Sequence, residues 1–103
     1  IIAAKDIDSA VTGRSHGHPV RSLRNAMTRE YSKLEAEGKS FEELEYLTLG
    51  TLRKAVIEGD IVHGTVMAGQ IAGLVSKKQS AKEIIDEIIS EATNLLKNAG
   101  SLV

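Results

Sequence analysis

The sequence predicts a mostly α-helical chain, and three observations carry that prediction. Two serine-led capping boxes, Ser40-Phe41-Glu42-Glu43 and Ser80-Ala81-Lys82-Glu83, each stand just ahead of an apolar run at helical spacing. In such a box the serine oxygen takes the amide of the glutamate, and the glutamate reaches back to the cap. Behind the second box, Ile84, Ile85, Ile88, Ile89, Ala92, Leu95 and Leu96 form one wide apolar stripe. The third observation is a further face, Val20, Leu23, Met27, Tyr31 and Leu34, which recurs at three- and four-residue steps ahead of Gly38.

Taken in order, Ile7 to Thr12 alternates weakly and carries β-branched residues, which predicts a short strand ending at Gly13. Gly13-Arg14-Ser15-His16-Gly17-His18 is a turn-rich loop. Pro19 has no amide proton to leave unpaired and a helix-compatible φ, so the first helix is expected to start there and to stop at Gly38. A second helix is expected from Phe41, with Leu44, Leu47, Leu52 and Val56 on its apolar side and a break near Gly50, before a turn at Glu58-Gly59-Asp60. From Val66 to Val75 a short helix-like run is expected. There Ala68 and Ala72, and Gly69 and Gly73, lie four apart and form a face with almost no side chain. The last helix follows Ser80 and is expected to close at Gly100.

Composition narrows the function classes. A chain of 103 residues that is 42% hydrophobic and 26% charged matches one small water-soluble domain. Its three aromatics (Tyr31, Phe41, Tyr46) leave a thin core of aliphatic residues, for which packing on a larger body is favourable. A net charge of −1 with mixed signs argues against a nucleic-acid partner. The absence of cysteine removes disulfides and thiolate chemistry. No run approaches the roughly 20 apolar residues of a membrane span and no signal-peptide pattern opens the chain, so no membrane partner and a cytoplasmic location are expected. Ile1-Ile2-Ala3-Ala4 begins in the middle of an apolar pattern without methionine, which reads as a piece of a longer chain.

Few residues offer chemistry. His16, His18 and His63 would make a metal site only if distant loops met, and no neighbouring carboxylate orients the rings, so no metal is expected. The many glutamates share predicted helix surfaces with Lys33 and Lys39, and no Gly-x-Ser-x-Gly elbow is present, so no catalytic residue is assigned. Arg21, Arg24, Asn25 and Arg29 form either an anion site or a set of hydrogen bonds that holds the preceding loop. The most loaded stretch is Gly64 to Leu74. A glycine turn running into small residues can present free amides and a flat surface to an anion or an aromatic ring, and it suits close helix packing equally well.

Read together, Ala4-Lys5-Asp6-Ile7-Asp8, Gly17-His18-Pro19-Val20-Arg21, Leu23-Arg24-Asn25 with Thr28-Arg29-Glu30, Glu58-Gly59-Asp60, and Gly64-Thr65-Val66-Met67-Ala68-Gly69-Gln70-Ile71-Ala72-Gly73-Leu74-Val75 resemble the C-terminal part of the FMN-dependent enoyl-acyl-carrier-protein reductases of the FabK type. The looser Gly-x-Pro-x-Arg and Arg-Asn elements are shared with the related nitronate monooxygenases of the 2-nitropropane dioxygenase superfamily. The resemblance implies a fragment of an FMN-binding (β/α)8 TIM-barrel enzyme: residues 1–18 as an extended segment and loop following the barrel, 19–62 as a helical subdomain over its mouth, and 63–103 as a flavin-side helix and a C-terminal helix packed on the barrel. It further implies FMN as cofactor, NADH as reductant and a trans-2-enoyl thioester on acyl carrier protein as substrate. The absent N-terminal barrel and a second copy in a homodimer are the implied partners. Met67, Ala68, Gly69 and Gln70 are then expected to form a wall beside the flavin, with a positive helix end favouring its reduced form. The family's catalytic histidine does not transfer to His16 or His18, whose surroundings lack its motif. A fragment of this kind is expected to be inactive alone. A nitronate monooxygenase part and a non-enzymatic helical interaction module are the alternative readings.

Overall fold

The structure is a computed structural model that describes residues 1–101. Two short strands, β1 (Ser9–Thr12) and β2 (Val20–Leu23), pair antiparallel with Ser9 opposite Leu23 and Thr12 opposite Val20. A single 3-10 turn, Asp6–Asp8, takes the first part of the expected strand. The connecting loop is tight. Gly13 has φ +76°, and a Cβ there would sit 2.3 Å from the carbonyl oxygen of His18, an approach only glycine allows.

The expected helix start at Pro19 is therefore corrected: Pro19 leads into a strand. The spacing of Val20 and Leu23 is short enough to read as either period. Backbone partners decide between them, because β2 is paired on both sides. Beyond β1, the amide of Leu23 donates to the carbonyl of Val66 at 2.9 Å, that of Ala68 to Arg21 at 3.4 Å, and Ser22 bridges Met67. Ser22 is consequently only 1% exposed.

The first helix, α1 (Ala26–Ala36), begins instead at an Asn25 cap. The Oδ1 of Asn25 accepts from the Thr28 amide at 3.0 Å, and Thr28 Oγ1 accepts from the Asn25 amide at 2.8 Å. It ends, as expected, ahead of Gly38, which has φ +78°. α2 (Phe41–Thr48) starts on the Ser40–Glu43 box, and Gly50 separates it from α3 (Thr51–Val56), both as the sequence predicts. Met27, Tyr31 and Leu44 form the core, with Leu34 and Leu47 packed against it.

Between Val66 and Val75 the structure departs from the expected helix. Val66 to Gly69 is extended alongside β2, and only Gln70–Leu74 coils, as a 3-10 helix of five residues. Pairing with β2 draws these amides sideways into the ribbon, so no stack of aligned peptides forms. The expected positive helix end is thereby lost, since a macrodipole needs several aligned turns. α4 (Ala81–Asn98) follows its Ser80 box as predicted. It then passes into a 3-10 turn, Ala99–Ser101, so Gly100 lies inside a turn and does not act as a left-handed cap. No residue of α4 is buried, and Ile85, Ile88, Ile89 and Leu95 are each about 60% exposed or more. The result is an elongated body of 55 × 33 × 19 Å whose radius of gyration, 18.0 Å, exceeds the roughly 13 Å of a compact domain this long. Among the described residues no helix is long and apolar enough to cross a membrane.

Candidate functional site

The chemistry-bearing stretch is positioned from the turn before it. Asp60 Oδ1 accepts from the amides of Val62 and His63 at 3.0 and 2.8 Å, and these bonds hold its carboxyl below the usual range. Next, the side-chain amide of Asn25 donates to the carbonyls of Ile61 (3.0 Å) and Gly64 (2.7 Å). The same side chain therefore caps α1 and anchors the loop that leads to Met67. Gly64 is required there, because a Cβ would lie 2.3 Å from the Asp60 carbonyl oxygen and 2.6 Å from the Ala55 amide nitrogen. Thr65 completes the clamp. Its hydroxyl meets that of Thr51 at 2.7 Å, and its amide donates to the Thr51 carbonyl at 2.9 Å.

From this anchored start, Met67, Ala68, Gly69 and Gln70 come together as one ledge. Met67 is 53% exposed, Ala68 is half-buried, and Gly69 and Gln70 are exposed. No heavy atom lies within 4 Å of where a Cβ on Gly69 would stand. The amides of Gly69 and Gln70 donate to no group among the described residues. The small-residue face splits at this point between its two readings. Ala72 is buried, and a Cβ on Gly73 would be 2.7 Å from the Asp6 amide nitrogen. Gly73 therefore serves close packing, and Gly69 faces open space.

The other candidates disperse. Arg21 Nη1 donates to Ser9 Oγ at 2.9 Å and Arg24 Nε to the Ser9 carbonyl at 3.4 Å, so these two arginines hold the hairpin. His16 and His18 lie against Phe41, with ring centroids 6.2 and 4.7 Å away, and His63 Nδ1 lies 3.3 Å from Asp60 Oδ2. Three metal-ligating side chains do not converge anywhere among the described residues. Glu35 takes over the loop that carries His16. It accepts from the Ser15 hydroxyl at 2.5 Å and from the amides of Ser15 and Gly13 at 3.2 and 3.3 Å. The Ser15 hydroxyl bond first, then those amides, hold its carboxyl below the ordinary value against the effect of partial burial.

Sequence reasoning missed the double duty of Asn25 and the Thr51–Thr65 pair. Asn25-Ala-Met-Thr28 is a capping box with threonine in the place of glutamate, and that was the available signal.

No protein-family model and no curated protein matches this chain. Solved structures do match it. FabK from Thermotoga maritima is 34% identical over 99% of this chain, with a TM-score of 0.88. A methionine-to-alanine mutant of FabK from the same organism is 30% identical over 99%, with a TM-score of 0.77. The chain spans 32% and 29% of the length of those two chains. The likeness covers nearly all of this chain, which is a FabK-type segment matching about a third of FabK.

Proposed function

We propose that this chain forms the flavin-side ledge and the helical subdomain of an enoyl-acyl-carrier-protein reductase that uses NADH and FMN. The likeness to FabK at 34% identity over 99% of the chain carries this reading. The residues present suit a flavin edge. Open space beyond Gly69 admits a flat ring, and Met67 offers an adaptable, polarizable apolar contact. The unengaged amides of Gly69 and Gln70 provide donors for ring heteroatoms. When bound at this ledge, FMN would supply the hydride-transfer chemistry between NADH and the enoyl thioester. This chain orients and shields: Asn25 and the Thr51–Thr65 clamp fix the ledge, and the apolar face of α4 packs on the remaining two thirds of a FabK-length protein.

In the complete polypeptide, Gly69→Val is expected to lower the flavin absorbance per protein, because a branched side chain fills the space the ring would enter. Valine is compatible with the backbone there, at φ −74° and ψ 176°. Unchanged flavin occupancy together with unchanged turnover would refute the ledge. NADH-dependent loss of a crotonyl thioester supports the reductase, whereas oxygen uptake with alkyl nitronates in its place overturns it.

A further inference from the structure

α2 presents a second face, away from the core. Leu44 is fully buried and packs with Met27 and Tyr31, whereas Tyr46 lies roughly 200° further round the helix and Leu49 follows at its end. Tyr46 is 82% and Leu49 75% exposed, and together they form a ridge between two shallow depressions of about 260 and 390 Å³. Glu42 and Glu45 border the smaller depression, and Lys54 borders the larger. Glu43, also at the larger one, is occupied by Lys39 at 3.2 Å. Glu42, Glu45 and Lys54 have no ionic partner among the described residues. An apolar ridge therefore separates unpaired acid from unpaired base.

Single exposed apolar side chains are ordinary. What distinguishes this face is the order acid, apolar, base across it, because that order is complementary to itself. With a twofold axis parallel to the ridge, on its Lys54 side, each ridge enters the larger depression of the other copy. Glu42 and Glu45 of one copy then face Lys54 of the other, and symmetry makes the same contact twice. An unrelated surface would have to match this pattern independently, whereas a second copy brings it by symmetry.

We propose that the Tyr46–Leu49 ridge is a self-association surface, at which two copies of the complete polypeptide pair about a twofold axis. Apolar contact at the centre supplies the affinity, and the outer charges fix the register.

The test is the association of the complete polypeptide, followed by sedimentation velocity over a range of concentrations. The unmodified protein is expected to dimerise reversibly, and more weakly as salt screens the outer pairs. Leu49→Asp should weaken the dimer at least tenfold, because it removes apolar burial at the centre and places a charge there. Lys54→Glu, whose contact is lost twice by symmetry, should weaken it roughly two- to thirtyfold. The same holds for the double variant Glu42→Lys with Glu45→Lys. Mixing the Lys54→Glu protein with that double variant sets opposite charges against each other on both sides, so the mixture should pair more tightly than either protein alone. All four positions are exposed, so melting temperatures should stay near wild type. A polypeptide that is monomeric at every concentration, a dimer indifferent to Leu49→Asp, or a mixture that gains nothing overturns the surface. So does a lowered melting temperature with unchanged association, which means that the rest of the polypeptide covers the ridge. Turnover enters none of these outcomes, and the reductase reading stands or falls separately.

Discussion

Asn25 is the side chain on which the candidate site depends most, and the cost of removing it follows from its bonds. Its Oδ1 caps α1, worth about 1 kcal/mol. Its Nδ2 donates to two carbonyls, and that of Gly64 is buried. At about 1 kcal/mol net for each bond, Asn25→Ala is expected to cost about 3 kcal/mol. Asn25→Asp separates the two roles, because a carboxylate caps a helix as well as an amide does but presents an acceptor to the Ile61 and Gly64 carbonyls. Ionisation is unfavourable beside two carbonyls, so the folded-state pKa of the new carboxyl is expected above its unfolded value of about 3.9. The protonated form can donate to one carbonyl. The variant is therefore closest to wild type below about pH 4 and loses stability as pH rises through the raised folded pKa. Amide hydrogen exchange at Thr65 and Met27, whose amides bond to the Thr51 and Val62 carbonyls, reads the local opening. At neutral pH protection there should fall about a hundredfold in Asn25→Ala. Asn25→Asp with wild-type protection at pH 7 and no dependence on pH would refute the anchoring role.

Two further expectations follow from the geometry. Gly64→Ala places a methyl group against the Asp60 carbonyl and the Ala55 backbone, which should cost about 1 to 3 kcal/mol in thermal unfolding, whereas Gly69→Ala, facing open space, should leave the melting temperature near wild type. Glu35 should titrate below the ordinary glutamate range, as followed by carboxyl chemical shift, because the Ser15 hydroxyl and the Ser15 and Gly13 amides favour its ionised form. Its contribution is present above its unfolded pKa and is lost as pH falls through the lowered folded value; removing the hydroxyl in Ser15→Ala should move the midpoint upward.

The helical half of this molecule was legible in the residues themselves. Ser40 and Ser80 satisfy helix-end amides through partners three positions away, and the left-handed turns at Gly38 and Gly50 need no information from distant residues. The exposed isoleucine stripe of α4 was equally legible, since a face that wide exceeds what its own chain can cover. Of the ribbon only β1 was legible, as the expected strand that ends at Gly13. Whether Val20–Leu23 coils or extends is decided by its pairing with Ser9–Thr12 across the loop, and Val66–Ala68 by hydrogen bonds to positions more than forty residues away, neither of which a local period encodes. The same contacts divided the small-residue stretch, pressing Gly73 onto Asp6 and leaving Gly69 open. Residue type alone made Gly64 to Gln70 suitable for either close packing or ligand approach. Only the tertiary pairing of Met67 with Ser22 turned four of those residues into an open ledge, because it consumes the backbone partners on one edge and leaves the other free.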